Sequence, residues 1–386
     1  MTKLKVIIIF FFLLSYFLLP KQVFAIEDPL KVPNNKFGIH ILFPDEINDA
    51  ARLVNSNGGD WGYVTIPIQA GDKDLLKWQN FMDSARQKHV IPIIRLASEG
   101  DYFNTSVWRK PTEYDVLDFA NFLNSLTWPT INRYVVVFNE VNRGDEWEGS
   151  PNPKEYARIL SYAVDIFKER SQDFFILSSG LDNGCANVYG KYINEYDFMR
   201  QMSAFNNVFS KVDGLASHSY PNPGFSKPPT TLGTMSIASF RYEKNLAKTL
   251  GGKDLPVFIT ETGWSSNSVS SDIIPQYLRT AYNLIWNDEN IVAVTPFLLK
   301  AGSPFDMFSF TNIDGSENEN QKAVKEIAKI PGKPQLSVDN ESFLAKKMEQ
   351  NEEKIVDFSK VTNEIIQPAI TVPKSVMTTI KWMLKI

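Results

Sequence analysis

Along this chain, short runs of β-branched and aromatic residues alternate with longer stretches in which apolar residues return every three or four positions. Eight such units follow one another. The predicted strands are Phe37–Leu42, Trp61–Ile66, Val90–Arg95, Tyr134–Asn139, Phe174–Ser179, Val212–His218, Val257–Glu261 and Val292–Leu298. The spacing leaves room for a helix after each.

The helical stretches carry their own punctuation. Asp45 is placed to cap a helix with Ile47, Ala50, Ala51 and Val54 on one face, stopped by Gly58-Gly59. Asn152-Pro153 puts a cap and a first-turn proline before a run in which Tyr156, Leu160, Ala163 and Phe167 recur at helical spacing. Thr112 precedes another helix, and Asp272 opens a third with Pro275 in its first turn. The last helix is expected from Asn320 to Ile330, ended by Pro331-Gly332. Eight consecutive βα units in ~300 residues predict an α/β fold of the (β/α)8 or TIM-barrel type. A doubly wound open sheet would carry a glycine-rich phosphate loop after an early strand, and none is present.

The two ends depart from this pattern. Lys3 and Lys5, an apolar run from Val6 to Leu19 and Val-Phe-Ala ending at Ala25 predict a signal peptide over residues 1–25. The mature chain would begin near Ile26 and be secreted or envelope-associated; an uncleaved N-terminal anchor is the alternative. The barrel is assigned to residues 26–332 and a C-terminal extension to 333–386. The extension is charged and proline-punctuated, like a linker or a strap, with a short helix expected around Ser342–Asn351. Its final residues place Val376, Ile380, Met383 and Leu384 on one helical face, with Lys374, Lys381 and Lys385 available to flank it. Such a helix suits peripheral contact with an anionic membrane, or docking on the protein's own surface.

Composition narrows the chemistry. The 386 residues carry a net charge of −4 with both signs intermixed, so there is no basic footprint for nucleic acid. Cys185 is the only cysteine, which excludes an intramolecular disulfide and any multi-cysteine metal cluster. His40, His89 and His218 match no metal-ligand spacing. No metal or cofactor is expected, and the chain is expected to be monomeric. Aromatic residues make up 13% of the sequence, enough for a large core and for flat apolar walls at a site.

Two stretches then stand out, YVVVFNEVN (134–142) and VFITETGW (257–264), each an apolar run ending in a glutamate. An ionised group delivered at the end of a buried strand is costly unless something compensates it. Glu140 and Glu261 fall at the C-terminal ends of strands four and seven, where barrel enzymes place their chemistry. Cleavage of a glycosidic bond with retention needs one protonated carboxylic acid and one carboxylate nucleophile, ~5–5.5 Å apart. Glu140, after four apolar residues, has the environment of the acid/base. Glu261 needs donors or positive charge to stay ionised, and Arg95 and Tyr220 are the candidates. Asn139 can reach the sugar hydroxyl beside the reacting carbon. Trp147 and Trp264 are candidate stacking platforms, with Trp147 in the loop after strand four preferred.

With FNEVN after strand four, SHSYPNP after strand six and TETGW at strand seven, the chain resembles the clan A retaining glycoside hydrolases. The specific motifs cover about twenty residues. The resemblance implies a (β/α)8 barrel with Glu140 as acid/base, Glu261 as nucleophile and Asn139, His218 and Tyr220 in support. ETGW is similar to the β-1,3-glucanases, although Ser265 follows where proline is usual there. His-x-Tyr and Arg95 are closer to the cellulase-like family 5 and the xylosidase-like family 39. Many clan members carry a sugar-platform tryptophan at strand eight; here the strand offers Phe297 and Lys300. The implied activity is a retaining β-glycoside hydrolase acting on a poly- or oligosaccharide. The alternatives are a transglycosylase and a carbohydrate-binding or envelope protein on a barrel that no longer catalyses.

Overall fold

The computed structural model describes residues 26–99 and 107–337. The predicted signal peptide, the short helix at 342–351 and the terminal amphipathic helix lie outside the described residues. All eight predicted strands occur, in order: β1 Gly38–His40, β2 Gly62–Gln69, β3 Val90–Ala97, β4 Arg133–Val136, β5 Phe174–Leu177, β6 Leu215–His218, β7 Val257–Glu261 and β8 Ile291–Val294. The main helices between and after them are α1 Ile47–Val54, α2 Leu75–Gln87, α3 Glu113–Ser125, α4 Pro153–Arg170, α5 Glu195–Asn206, α6 Phe240–Gly251, α7 Ile274–Thr280 and α8 Glu319–Glu326.

Neighbouring strands pair in parallel within two sheets, β1 to β5 and β6 to β8. Isolated parallel bridges span the two seams, Leu177 to Gly214 and Asp182 to His218 between β5 and β6 and Phe37 to Val294 between β8 and β1. Backbone hydrogen bonds from Val294 N to Lys36 O at 2.9 Å and from His40 N to Pro296 O at 3.0 Å reinforce the second seam. Side chains alternate as a barrel requires. Tyr63, Ile91, Ile93, Tyr134, Val136, Phe175, Leu177, Ala216 and Phe258 fill the interior, while Val64, Ile94, Val135, Ile176 and Ile259 pack against the helices.

The helix starts follow the expected capping chemistry in two places. Thr112 accepts from Asp115 N at 3.3 Å in a capping box, and Asn152 accepts from Glu155 N at 3.1 Å ahead of Pro153. Three boundaries differ from expectation. Ile273, not Asp272, stands at the cap before α7, with Pro275 in the first turn as expected. A 3-10 turn at Pro44–Glu46 precedes α1, with Phe43 rather than Asp45 at its cap, and α1 stops at Asn55 before the glycines. Helix α8 is capped by Asn318, whose side chain accepts from Asn320 N and Gln321 N, so it begins earlier than expected, and it stops at Glu326 with Ile327 extended, short of Ile330 and the proline.

After α8 the chain crosses to the N-terminal end of the strands. Gly332 N donates to Asp60 O at 2.8 Å, Lys333 N to Pro33 O at 2.8 Å and Ile131 N to Gln335 O at 2.9 Å. There Trp61 is buried and stacks on His89, which also meets Asp60 at 2.8 Å. Among the described residues, no helix is long and apolar enough to cross a membrane.

Candidate active site

Period-two alternation carries several polar residues to the top of the barrel interior. Arg95 continues the inward series of Ile91 and Ile93, and His218 continues from Ala216. Glu261 gets there differently. Phe258 points inward, so strict alternation would turn Thr260 inward next. Instead the β6–β7 pairing slips between Ser217 and His218, pairing Ser217 with Ile259 and His218 with Glu261. That bulge re-phases β7 and turns Glu261 into the mouth beside His218.

A second departure from regular strand geometry places Asn139 and Glu140. Adjacent strand residues face opposite ways. Here Phe138 has φ +67° and Glu140 φ +35°, the left-handed region that non-glycine residues seldom occupy. Glu140 N donates to Gly180 O at 3.0 Å, fixing the turn, and both side chains face the site. Gly180 is itself required: a Cβ there would lie 2.2 Å from His218 Cδ2. Held strain of this kind costs about 1–3 kcal/mol per residue and concentrates at functional sites.

The resulting contacts form one network. Glu261 Oε1 accepts from Arg95 Nη1 and lies 3.6 Å from His40 Nε2. Its other oxygen accepts from the Tyr220 hydroxyl at 3.1 Å and lies 3.7 Å from His218 Nδ1. The same His218 nitrogen is 3.0 Å from Glu140 Oε1, so the ring sits between the two carboxyl groups. Arg143 Nε lies 3.7 Å from Glu140 Oε2. Asn139 Oδ1 accepts from Arg95 Nη1 at 2.7 Å. Facing oxygens of Glu140 and Glu261 and a nitrogen of His218 all fall within 4.8 Å of one another. Those three donors could hold a cation by spacing alone, but the Arg95 guanidinium already places a positive charge on Glu261.

The two carboxyl groups differ in protonation. Burial pushes the Glu140 carboxyl above its ordinary 4.5, and the His218 hydrogen bond only partly offsets this. Burial acts the same way on Glu261 but is outweighed by His218, Arg95 and the Tyr220 hydroxyl, which hold it at about 2. Burial also opposes charge on His218, yet Glu261 and Glu140 raise it above 6.5. His40, wholly buried beside Arg95, is pushed down to about 3 and is neutral at ordinary pH.

The aromatic expectations require correction. Trp147, expected as a stacking platform, is 2% exposed, meets Tyr156 edge-on and donates from Nε1 to Glu155 at 3.2 Å. Trp264 is also 2% exposed, packs on Trp286 and Tyr277 and donates to Lys227 O at 2.8 Å. Both belong to the barrel–helix core, because each loop folds its largest apolar surface inward. Phe297 is buried, sits edge-on to His40 and packs against Phe308 and the half-buried Phe305, so its ring offers no open face.

Sequence reasoning missed two sets of acids. Glu146, in the loop after β4, accepts from Asn139 Nδ2 at 3.1 Å, and burial together with the charge of Glu140 pushes it to about 8. Only its position in the acid-rich loop GDEWEG hints at it. Glu195 and Glu243, on α5 and α6, adjoin each other in the barrel–helix layer, with Ser239 donating to Glu243 at 2.8 Å. Burial and mutual proximity raise Glu195; burial raises Glu243. Neither acid has a local sequence signal that marks it as buried.

No protein-family model matches the chain, and no curated protein sequence does. Solved structures share its fold. A family 39 glycoside hydrolase from the gut symbiont Bacteroides cellulosilyticus WH2 is 18% identical, with a TM-score of 0.54 over 78% of this chain and 64% of that one. A GH5_18 protein from Bifidobacterium longum subsp. infantis is 13% identical, with a TM-score of 0.52 over 77% and 81%. A glucosidase from Croceicoccus marinus is 11% identical, with a TM-score of 0.56 over 77% and 67%. The (β/α)8 architecture is therefore that of known glycoside hydrolases. This chain spans under two thirds of the family 39 enzyme's length.

Proposed function

We propose that the protein is an exported retaining β-glycoside hydrolase acting on a poly- or oligosaccharide. The observation that carries this is the facing pair of Glu140 and Glu261, with oxygens within 4.8 Å and protonation pushed in opposite directions. That separation suits direct attack on the sugar. Inversion needs ~6.5–9.5 Å between carboxyl groups to admit a water.

In the first step an ionised Glu261 oxygen attacks the anomeric carbon. The bond to the leaving oxygen breaks as Glu140 gives that oxygen its proton. In the second step Glu140 takes a proton from water, whose oxygen attacks the same carbon and displaces Glu261. Arg95 and Tyr220 keep the nucleophile ionised, and His218 ties the two carboxyl groups together. The amide of Asn139 faces the same space, at reach of the hydroxyl beside the reacting carbon.

The test is release of new reducing ends from β-linked glucans, xylans and mannans by the wild type and by Glu261→Gln. Release by the wild type and its loss in the variant are expected; equal rates would remove Glu261 from the mechanism. Binding of a glycan with no release by the wild type would select a carbohydrate-binding protein instead.

A further inference from the structure

Asn139 is held from both sides. Its Oδ1 accepts from Arg95 Nη1 at 2.7 Å, and its Nδ2 donates to Glu146 Oε1 at 3.1 Å. An amide has one acceptor oxygen and two N–H donors. Arg95 decides which end of the amide faces it, because turned over it would set donor against donor. Glu146 then fixes the tilt of the amide plane. One Nδ2 hydrogen is left for the open side of the site.

Glu146 is well placed to act as a fixed post. Trp108 N donates to Asp145 O at 2.7 Å and Glu148 N donates to Trp108 O at 2.9 Å, so backbone bonds clamp the loop on both sides of it. Asp145 is also paired with Arg143 at 2.6 Å. Arg95, Ser98, Trp108, Phe138, Asn139 and Glu146 together line one small cavity. Thus Glu146, Asn139, Arg95 and Glu261 make a continuous chain of hydrogen bonds that ends on the proposed nucleophile.

We propose that Glu146 is a positioning residue, which holds the Asn139 amide so that its second Nδ2–H meets an oxygen on the sugar carbon next to the reacting one. The proposal rests on the glycoside hydrolase reading above. Glu146 touches neither the sugar nor the reacting atoms, and it acts through Asn139. Its carboxyl is held in the neutral form below about 8, chiefly by burial, and its carbonyl oxygen suffices to accept from Asn139. Glutamine, the uncharged isostere, should therefore replace it at neutral pH, whereas leucine should not.

The experiment measures kcat/KM for wild type, Glu146→Gln and Glu146→Leu on 2,4-dinitrophenyl β-glucoside, β-xyloside and β-cellobioside. The same measurement is made on the 2-deoxy counterpart of whichever is cleaved. Thermal melts establish that each variant is folded. Glu146→Leu is expected to lose about 10–100-fold on the parent glycoside, the scale of a misplaced contact, and almost nothing on the 2-deoxy one. Glu146→Gln should stay close to wild type on both. Equal losses on the two substrates, or none on the parent, would overturn the proposal. If the wild type cleaves none of these and releases no reducing ends from the glucans, xylans and mannans either, the hydrolase reading is what fails, and a crystal structure of Glu146→Leu still decides the positioning role. The Asn139 amide is expected to tilt away from its place on Arg95, and an unmoved amide would overturn it.

Discussion

Arg95 and Glu261 form a buried ion pair in which the arginine is 1% exposed and the glutamate 6%. The same guanidinium nitrogen holds Asn139, so the β3 cation ties the proposed nucleophile on β7 to the residue preceding the proposed acid/base after β4. Removing one member of such a buried pair leaves the other charge uncompensated, which is strongly destabilising.

Arg95→Met should therefore destabilise the protein by about 3–5 kcal/mol at pH 7, as expected when one member of a buried pair is removed. In the wild type, Glu261 is depressed from 4.5 to about 2, so its stabilising effect is complete above 4.5 and fades as pH falls through 2. The deficit of the variant should shrink accordingly in urea melts at pH 3 compared with pH 7. A deficit unchanged by pH would mean that packing of the arginine stem, not its charge, is what matters.

Activity should follow a bell-shaped pH profile. Glu261 must be ionised, which sets the acid limb towards 2, and Glu140 must be protonated, which sets the alkaline limb above its ordinary 4.5. Replacing the acid, as in Glu140→Gln, should cost about 100–10,000-fold on substrates with poor leaving groups. It should also flatten the alkaline limb on aryl glycosides, whose leaving groups depart without a proton. An alkaline limb that survives in the variant would assign it to another group.

Trp147 separates packing from binding. As a buried core ring, Trp147→Ala should cost about 3–5 kcal/mol of stability. Trp147→Phe should be far milder and leave KM unchanged. A rise in KM without loss of stability would restore it as a sugar platform.

The Glu195–Glu243 pair, in the barrel–helix layer behind His218, predicts a second stability effect. Both carboxyl groups are raised above 4.5, so the folded state is favoured below that value and loses stability as pH rises through the folded-state titration. Glu243→Gln should narrow the difference between melting temperatures at pH 5 and pH 8. An unaltered difference would place the strain elsewhere.

Much of this was legible in the order of residues. Eight apolar runs with intervening helical period gave the barrel, because burial of strands between interior and helices demands that pattern. The positions of Glu140 and Glu261 followed from counting strands. What local pattern does not encode is re-phasing: the bulge opposite Thr260 and the left-handed Phe138 decide which face Glu261 and Asn139 take. The tryptophans misled because a loop aromatic can equally cap the core or face solvent, and only packing against Tyr156 and Trp286 distinguishes the two. Glu146 is set by a contact with Asn139 that appears only once the loop is folded.

The stereochemistry of the first-formed product tests the central claim most directly. Proton NMR of the anomeric signal during hydrolysis of a β-linked substrate should show the β-anomer first, with the α-anomer growing only as fast as mutarotation. An α-anomer formed first would contradict a direct attack by Glu261 and the double displacement built on it.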